Sequence, residues 1–118
     1  MQFAISAALD GPQDHLQVTT SKMRARRDLL MEWANATPHV SCVAPRAAFY
    51  GFPKLDIPDD DVTFVKGLLT EKNVLLVHGG GFGQKSGTRH VRVVYLPQEP
   101  VLKQAFAAIT EYIREKYS

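Results

Sequence analysis

One arginine in a predicted strand is the residue of this 118-residue chain best suited to hold an acidic ligand. Residues 89–95 alternate, with Val91, Val93 and Tyr95 on one face and Arg92 on the other. A guanidinium makes two parallel charge-assisted hydrogen bonds to a carboxylate. The pattern therefore allows two interpretations: a strand face that looks into a polar, carboxylate-binding cleft, or a plain exposed strand face.

A glycine-rich turn precedes that strand. Residues 78–83 read HGGGFG, which leaves the backbone free to approach a neighbour closely and places Phe82 as an apolar anchor. The lysine and hydroxyl of a P-loop are absent at the required spacing, and no GxGxxG opens a helix here. We therefore expect a closely packed turn at a ligand site or a domain interface rather than a phosphate cradle.

Three other candidate groups lack the surroundings that their chemistry needs. Ser21 and Lys22 resemble a Schiff-base site, but they lie in a basic helical run instead of a pocket. His78 and His90 have no carboxylate or cysteine at metal-ligand spacing. Cys42 is predicted to be a small core hydrophobe. We expect no catalytic residue and no metal site within this chain.

Composition indicates one domain with a real core. The hydrophobic fraction is 45%, and 14 basic against 12 acidic residues leave a net charge of +2. A compact chain of this length has a radius of gyration of about 13 Å. The basic run at Lys22, Arg24, Arg26 and Arg27 is interpreted as a solvated helix face, with nucleic-acid binding as a third functional alternative. A single cysteine and the lack of a long apolar run or basic leader predict a cytoplasmic protein that does not bind a membrane. The net charge of +2 is too small to indicate a nucleic-acid partner.

Hydrophobic spacing predicts four helices and about four strands. Residues 1–9 form a helix that ends at Gly11 and Pro12, with no start signal of its own. A long helix follows, capped by Asp14 and stopped by Pro38. The later helices are expected over residues 62–72 and from Pro97 onward, and Asn73 is the stop of the first of these.

The strands are expected at 39–43, 47–52, 74–77 and 89–95. The first two read as a hairpin closed by Pro53, and 74–77 reads as a strand covered on both faces. This order predicts an α+β fold, a two-layer sandwich with helices packed on one face of the sheet.

Four segments together resemble the C-terminal small domain of fold-type-I aminotransferases, in the alanine and aspartate aminotransferase branch. They are LDGPQDHLQ (9–17), PRAAFYGFPKL (45–55), LLTEKNVLLVHGGGFG (68–83) and HVRVVYLP (90–97). The resemblance covers nearly the whole chain, with the motifs in the family's order. It implies that residues 1–11 end a helix of a preceding domain and that 12–118 form the small domain.

The resemblance also assigns the site. It implies that Arg92 binds the α-carboxylate of the substrate and that Gly79, Gly81, Phe82 and Gly83 lie near the cofactor.

Four further positions bear on the resemblance. Phe49 and Tyr50 match the family's aromatic strand and are expected to pack rather than react. Gly80 stands where relatives often have Ser, and Val91 replaces the usual aromatic residue.

The parent enzyme implied by this resemblance uses pyridoxal phosphate to move an amino group between an amino acid, alanine or aspartate, and a 2-oxo acid. Its Schiff-base lysine and phosphate cup belong to a large domain that is missing here, so we expect this chain to be inactive alone and to bind no cofactor. A homodimer is expected, as is an exposed patch of Met1, Phe3, Ile5 and Leu16. The alternative is a free-standing module that binds small carboxylates or regulates through them.

Overall fold

The computed structural model describes residues 2–118, in which four helices surround short antiparallel strands. The helices are α1 (Gln2–Asp10), α2 (Asp14–Ala36), α3 (Asp61–Lys72) and α4 (Glu99–Tyr117), and the strands are β1 (Val40–Ser41), β2 (Tyr50–Gly51), β3 (Lys54–Leu55), β4 (Val77–His78) and β5 (Val91–Val94). A single 3₁₀ turn, Gly79–Phe82, follows β4. The predicted α+β fold with four helices is confirmed.

Strand β5 is the centre of the main sheet. It lies between β2 and β4 and is antiparallel to both, while β1 and β3 form a separate two-stranded sheet. Val91, Val93 and Tyr95 are buried, and Arg92 on the alternate face is half-buried, as the sequence predicts. The core joins these side chains to the second half of α2, to α3 and to α4.

The predicted hairpin between 39–43 and 47–52 is wrong. Val40 pairs with Leu55, whereas Tyr50 pairs with Val94 of β5. Pro53 does not end the extended segment either, because its carbonyl accepts a hydrogen bond from the Val91 N–H at 3.0 Å. Local turn residues indicated a connection, but pairing with the distant strand β5 decided the register.

The run 74–77 is also different from its prediction. Only its last residue enters β4, which pairs with β5 alone and forms an edge of the sheet. Leu75 is 72% exposed. Leu75 lies before β4 and is open to solvent, so a continuous apolar run is no proof of a strand covered on both faces.

Helix α3 has the ends that its sequence predicts. The Asp60 side chain caps it and accepts from the Thr63 backbone N–H at 2.8 Å. This hydrogen bond holds the pKa of the Asp60 carboxyl below its ordinary value. Asn73 ends the helix in the left-handed conformation, with φ of 55°.

Helices α1 and α2 project from the core. Helix α1 ends at Asp10 as predicted and buries no residue, and α2 buries only Leu30, Trp33 and Ala34 near its end. Asp14 is not the N-cap of α2: Gln13 takes that place, and its amide donates to the Ala8 carbonyl instead. The projection explains a radius of gyration of 16.8 Å, larger than the compact value.

The described side chains of the patch predicted at the start of the chain are exposed. Phe3 is 93% exposed, Ile5 56% and Leu16 51%, while Met1 lies outside the described residues. Within residues 2–118, no helix is both long and apolar enough to cross a membrane.

Candidate functional site

Arg92 lies in the middle of β5 on the face opposite the core. Its neighbours Val91 and Val93 are 1% and 3% exposed, and across the sheet it is paired with Val77 of β4. The backbone of Arg92 is therefore fixed by a paired strand, whereas its side chain is half-buried at the surface. A charged group on a rigid strand is well placed to hold a ligand in one orientation.

Two aromatic rings frame the guanidinium. The ring centroid of Phe82 is 4.3 Å from Cζ of Arg92, and that of Tyr50 is 5.1 Å away. Both distances are within the range in which a cation is attracted to a ring face. Both rings are also partly exposed: Tyr50 is 43% exposed and Phe82 46%. The sequence placed Tyr50 in packing and did not predict its contact with Arg92.

Arg92 has no acidic partner among residues 2–118. The ion pairs in the described part of the chain involve other residues, and Nε of Arg92 is buried without a hydrogen-bond acceptor. A buried donor without an acceptor carries a free-energy cost of about 1–3 kcal/mol, which an incoming carboxylate would remove. Within residues 2–118, Arg92 is therefore not part of a structural ion pair.

The glycine turn beside Arg92 is tightly packed at its start and open at its end. A Cβ on Gly79 would lie 2.7 Å from the His90 carbonyl oxygen, so no side chain fits there. Gly83 adopts φ of 70°, a left-handed conformation that favours glycine, and nothing lies within 4 Å of its would-be Cβ. A Cβ on Gly81 would be 4.0 Å from Cε1 of His78, the nearest atom outside the adjoining residues. The open end lets another group approach the backbone.

Two side chains that the sequence analysis did not select hold this turn. Asp61 is buried and accepts a hydrogen bond from the Gly80 N–H, and Gln84 donates to the same carboxylate. The sequence showed Asp61 only as one of several acidic residues at the start of a helix. One signal was available: two aspartates stand at positions 60 and 61, and one is enough to cap the helix.

The histidines next to the turn make structural contacts. His90 stacks on Phe52 with a centroid distance of 4.7 Å, and burial, with the charge of Lys54, lowers the pKa of its imidazole. Nδ1 of His78 is 3.9 Å from Oδ2 of Asp61. Among the described residues, no group of three His, Cys, Asp or Glu side chains is close enough to hold a metal.

The remaining sequence candidates lie away from Arg92. Lys22 is exposed on α2, Arg26 donates to the Leu96 carbonyl, and Arg27 pairs with Asp28 at 2.7 Å. Cys42 is half-buried against the core, where burial raises the pKa of its thiol. An aromatic-framed arginine, next to an open glycine turn on one face of an α+β domain, thus remains as the candidate site.

The sequence of this chain is similar to those of known aminotransferases. The family described as aminotransferase class I and II matches residues 1–109. The glutamate-pyruvate aminotransferase AlaA of Haemophilus influenzae is 32% identical over 98% of this chain and 30% of its own length. The alanine aminotransferase of Mycobacterium tuberculosis is 34% identical over 95% of this chain and 27% of its own length.

Solved structures show the same fold. An alanine aminotransferase from Pyrococcus furiosus superposes with a TM-score of 0.91 and 38% identity, over 98% of this chain and 30% of that one. An aromatic aminotransferase from Pyrococcus horikoshii gives a TM-score of 0.90 with 27% identity, over 98% of this chain and 31% of that one. The chain belongs to the aminotransferase class I and II family and spans about 30% of the length of the relatives that it matches.

Proposed function

We propose that this chain is the C-terminal small domain of an aminotransferase that moves an amino group between an amino acid and a 2-oxo acid. Residues 12–118 form that domain, and residues 1–11 end a helix of the domain before it. The names of the relatives favour alanine or aspartate as the amino acid. In this proposal, Arg92 binds the α-carboxylate that both substrates carry.

The free guanidinium of Arg92 is the observation that carries the proposal. It has no acidic partner in residues 2–118, it is framed by two rings, and it lies on a fixed strand. A two-pronged contact would fix the orientation of a substrate as well as hold it. Amino acids and 2-oxo acids share this carboxylate, so one arginine serves both halves of a transamination.

The described residues do not form a site for pyridoxal phosphate by themselves. A Schiff-base lysine needs a pocket, yet among residues 2–118 Lys72 is the only lysine that is not exposed, and it is paired with Glu111 and Glu115. The family's cofactor would therefore be held by another part of the parent enzyme. We propose that this chain alone is inactive and binds no cofactor.

In this proposal, the glycine turn borders the cofactor without holding it. Gly81, Phe82 and Gly83 lie at the open end of the turn, and Gly79 fixes its start. Backbone without side chains lets a neighbouring domain or ligand approach closely. The turn would thus close one side of the substrate cleft.

The exposed N-terminal helices fit packing against a large domain and a second subunit. Phe3, Leu9 and Leu16 are at least half exposed and belong to the segment with no core of its own. Apolar side chains grouped at a surface are typical of interfaces. We propose that these residues are covered in the complete homodimeric enzyme.

A chimeric enzyme tests the role of Arg92. This chain replaces the matching segment of the Pyrococcus furiosus alanine aminotransferase, which has the same fold. We expect Arg92→Lys to raise the KM for alanine about 10-fold or more, since the lysine loses the two-pronged contact. Arg89→Lys is the matched control, because Arg89 donates only to the Pro58 carbonyl. An unchanged KM in Arg92→Lys contradicts the proposal.

The isolated chain provides a second test. We expect no absorbance of an imine when pyridoxal phosphate is added, in the wild type and in Lys22→Ala alike. An absorbance that Lys22→Ala abolishes would contradict the missing-lysine interpretation. Tight binding of alanine or pyruvate by the chain alone would instead favour the free-standing carboxylate-binding module, since a single charged contact supplies only about 1.5–3 kcal/mol.

A further inference from the structure

The carboxylate of Asp61 is buried although it does not cap its own helix. The residue is 7% exposed, and Asp60 makes the capping contact of α3. Oδ2 of Asp61 accepts hydrogen bonds from the Gly80 backbone N–H at 2.8 Å and from Nε2 of Gln84 at 3.0 Å. A buried carboxylate is destabilising unless it is hydrogen-bonded. These two donors, one in the glycine turn and one directly after it, account for its burial.

Gln84 connects the same turn to β5. While its Nε2 donates to Asp61, its Oε1 accepts from the His90 backbone N–H at 2.9 Å. The Gly79 N–H donates to the His90 carbonyl at 2.8 Å, so both ends of the turn are bonded to the residue that precedes β5. The backbone from 79 to 84 is thereby fixed relative to α3 and β5 together.

Phe82 is carried by this fixed backbone. Its side chain is 46% exposed. Its ring centroid is 4.3 Å from Cζ of Arg92 and 6.5 Å from the ring centroid of Phe52, to which the ring is nearly perpendicular. Because so much of the ring is in solvent, its position depends on the turn more than on packing. Whatever holds the turn therefore places the ring on the guanidinium.

We infer that Asp61 and Gln84 are positioning residues for the carboxylate-binding arginine, an inference that rests on the function proposed above. They hold the glycine turn so that Phe82 lies over the guanidinium of Arg92 and limits the orientations that this guanidinium can adopt. Neither side chain is within hydrogen-bond distance of Arg92. Their influence passes through the turn and the ring.

Nuclear magnetic resonance of the whole chain tests this inference. The Nε–Hε resonance of Arg92, assigned by its loss in Arg92→Gln, reports the shielding by the rings, and pyruvate is the carboxylate probe. We expect Asp61→Ala and Gln84→Ala to move this resonance toward that of a free arginine. The dissociation constant for pyruvate should rise about 2- to 5-fold, the effect of losing one exposed cation–π contact. Phe82→Leu should do the same.

Two variants separate positioning from general destabilisation. In Asp61→Asn the amide oxygen can accept both hydrogen bonds, so we expect the resonance and the affinity to stay near those of the wild type. Asp60→Ala removes the neighbouring helix cap and weakens the fold without touching the turn. We expect it to leave the Arg92 resonance unchanged.

The measurements distinguish a failure of the carboxylate role of Arg92 from a failure of the positioning inference. If Arg92→Gln leaves the pyruvate-induced shifts intact, the carboxylate role of Arg92 is wrong, while the resonance positions still test the contact with the turn. If Arg92→Gln abolishes those shifts but Asp61→Ala and Gln84→Ala change neither resonance nor affinity, the positioning inference is wrong. It is equally wrong if Asp60→Ala moves the resonance as far as Asp61→Ala does.

Discussion

The N-terminal arm, residues 2–22, and the body, residues 23–118, use similar apolar side chains with opposite results. Phe3 of the arm is 93% exposed, whereas Phe106 of the body is 5% exposed. Leu16 and Leu30 both lie on α2, yet the first is 51% exposed and the second is fully buried. Within residues 2–118, such apolar side chains are therefore buried in the body, where other core residues pack against them, and are exposed in the arm. Four experiments test this difference between arm and body.

Trp33 gives the largest expected effect. Its ring stacks on Phe106 at 4.8 Å, and its Nε1 donates to Oγ1 of Thr110 at 3.0 Å. Trp33→Ala removes this packing and leaves a cavity, so we expect the free energy of unfolding to fall by about 3–5 kcal/mol in urea titrations. Phe3→Ala in the arm is the control, with less than about 0.5 kcal/mol expected. Similar losses in both variants would contradict the division into arm and body.

Gly67 tests the contact between α3 and α4. A Cβ at this position would lie 2.0 Å from the hydroxyl oxygen of Tyr112 and 3.1 Å from its Cζ. We expect Gly67→Ala to destabilise the body by about 1–3 kcal/mol, because two buried helices must move apart. Adding Tyr112→Phe should recover part of this loss, since the closest atom is then absent. If the double variant is as unstable as Gly67→Ala, the Tyr112 hydroxyl is not the atom that the new methyl group meets.

The cap of α3 predicts a pH dependence. A hydrogen bond from the Thr63 N–H lowers the pKa of Asp60 in the folded chain from its ordinary value of 3.8. Its stabilising contribution is present above that ordinary value and is lost as pH falls through the lower, folded-state pKa. We expect Asp60→Asn to make stability depend less on pH on the acid side. The measurement is the urea midpoint between about pH 2 and about pH 6, the range in which carboxyl groups titrate. An unchanged profile would remove Asp60 as the capping residue.

The smallest effect on stability is expected in the arm, where the effect on association should be visible. Phe3→Ser and Leu16→Ser change side chains that touch no core. We expect the urea midpoint to stay the same and self-association, measured by sedimentation velocity, to decrease. Leu75→Ser, exposed in the body, is the control. Equal decreases in all three variants would show that association is not a property of the arm.

Local signals predicted helix ends and one strand face correctly. Gly11 and Asn73 end helices where the sequence indicated, and α3 begins at Asp61, one residue before its predicted start. The alternation around Arg92 matched the observed burial. Each of these features depends on residues within a few positions of one another, so side-chain type and spacing are sufficient.

Strand pairing and the surroundings of Arg92 were not predictable in the same way. The proline after 47–52 favoured a hairpin, but β2 pairs with β5, more than 40 positions later. The capping residue Gln13 was missed because Asp14 has the more common cap side chain. The roles of Asp61 and Gln84 depend on where a helix and a turn meet, which local patterns do not encode.

Short-range sterics and periodicity are enough to predict which stretches are helical and that a strand presents Arg92 away from an apolar face. The enclosure of the guanidinium by Phe82 and Tyr50 and the contact of Asp61 with the turn depend instead on how distant segments pack. Such contacts join groups 10 to 42 positions apart, as Phe82 and Tyr50 are from Arg92. They form only when the packing of the whole body compensates the entropy of closing the intervening chain.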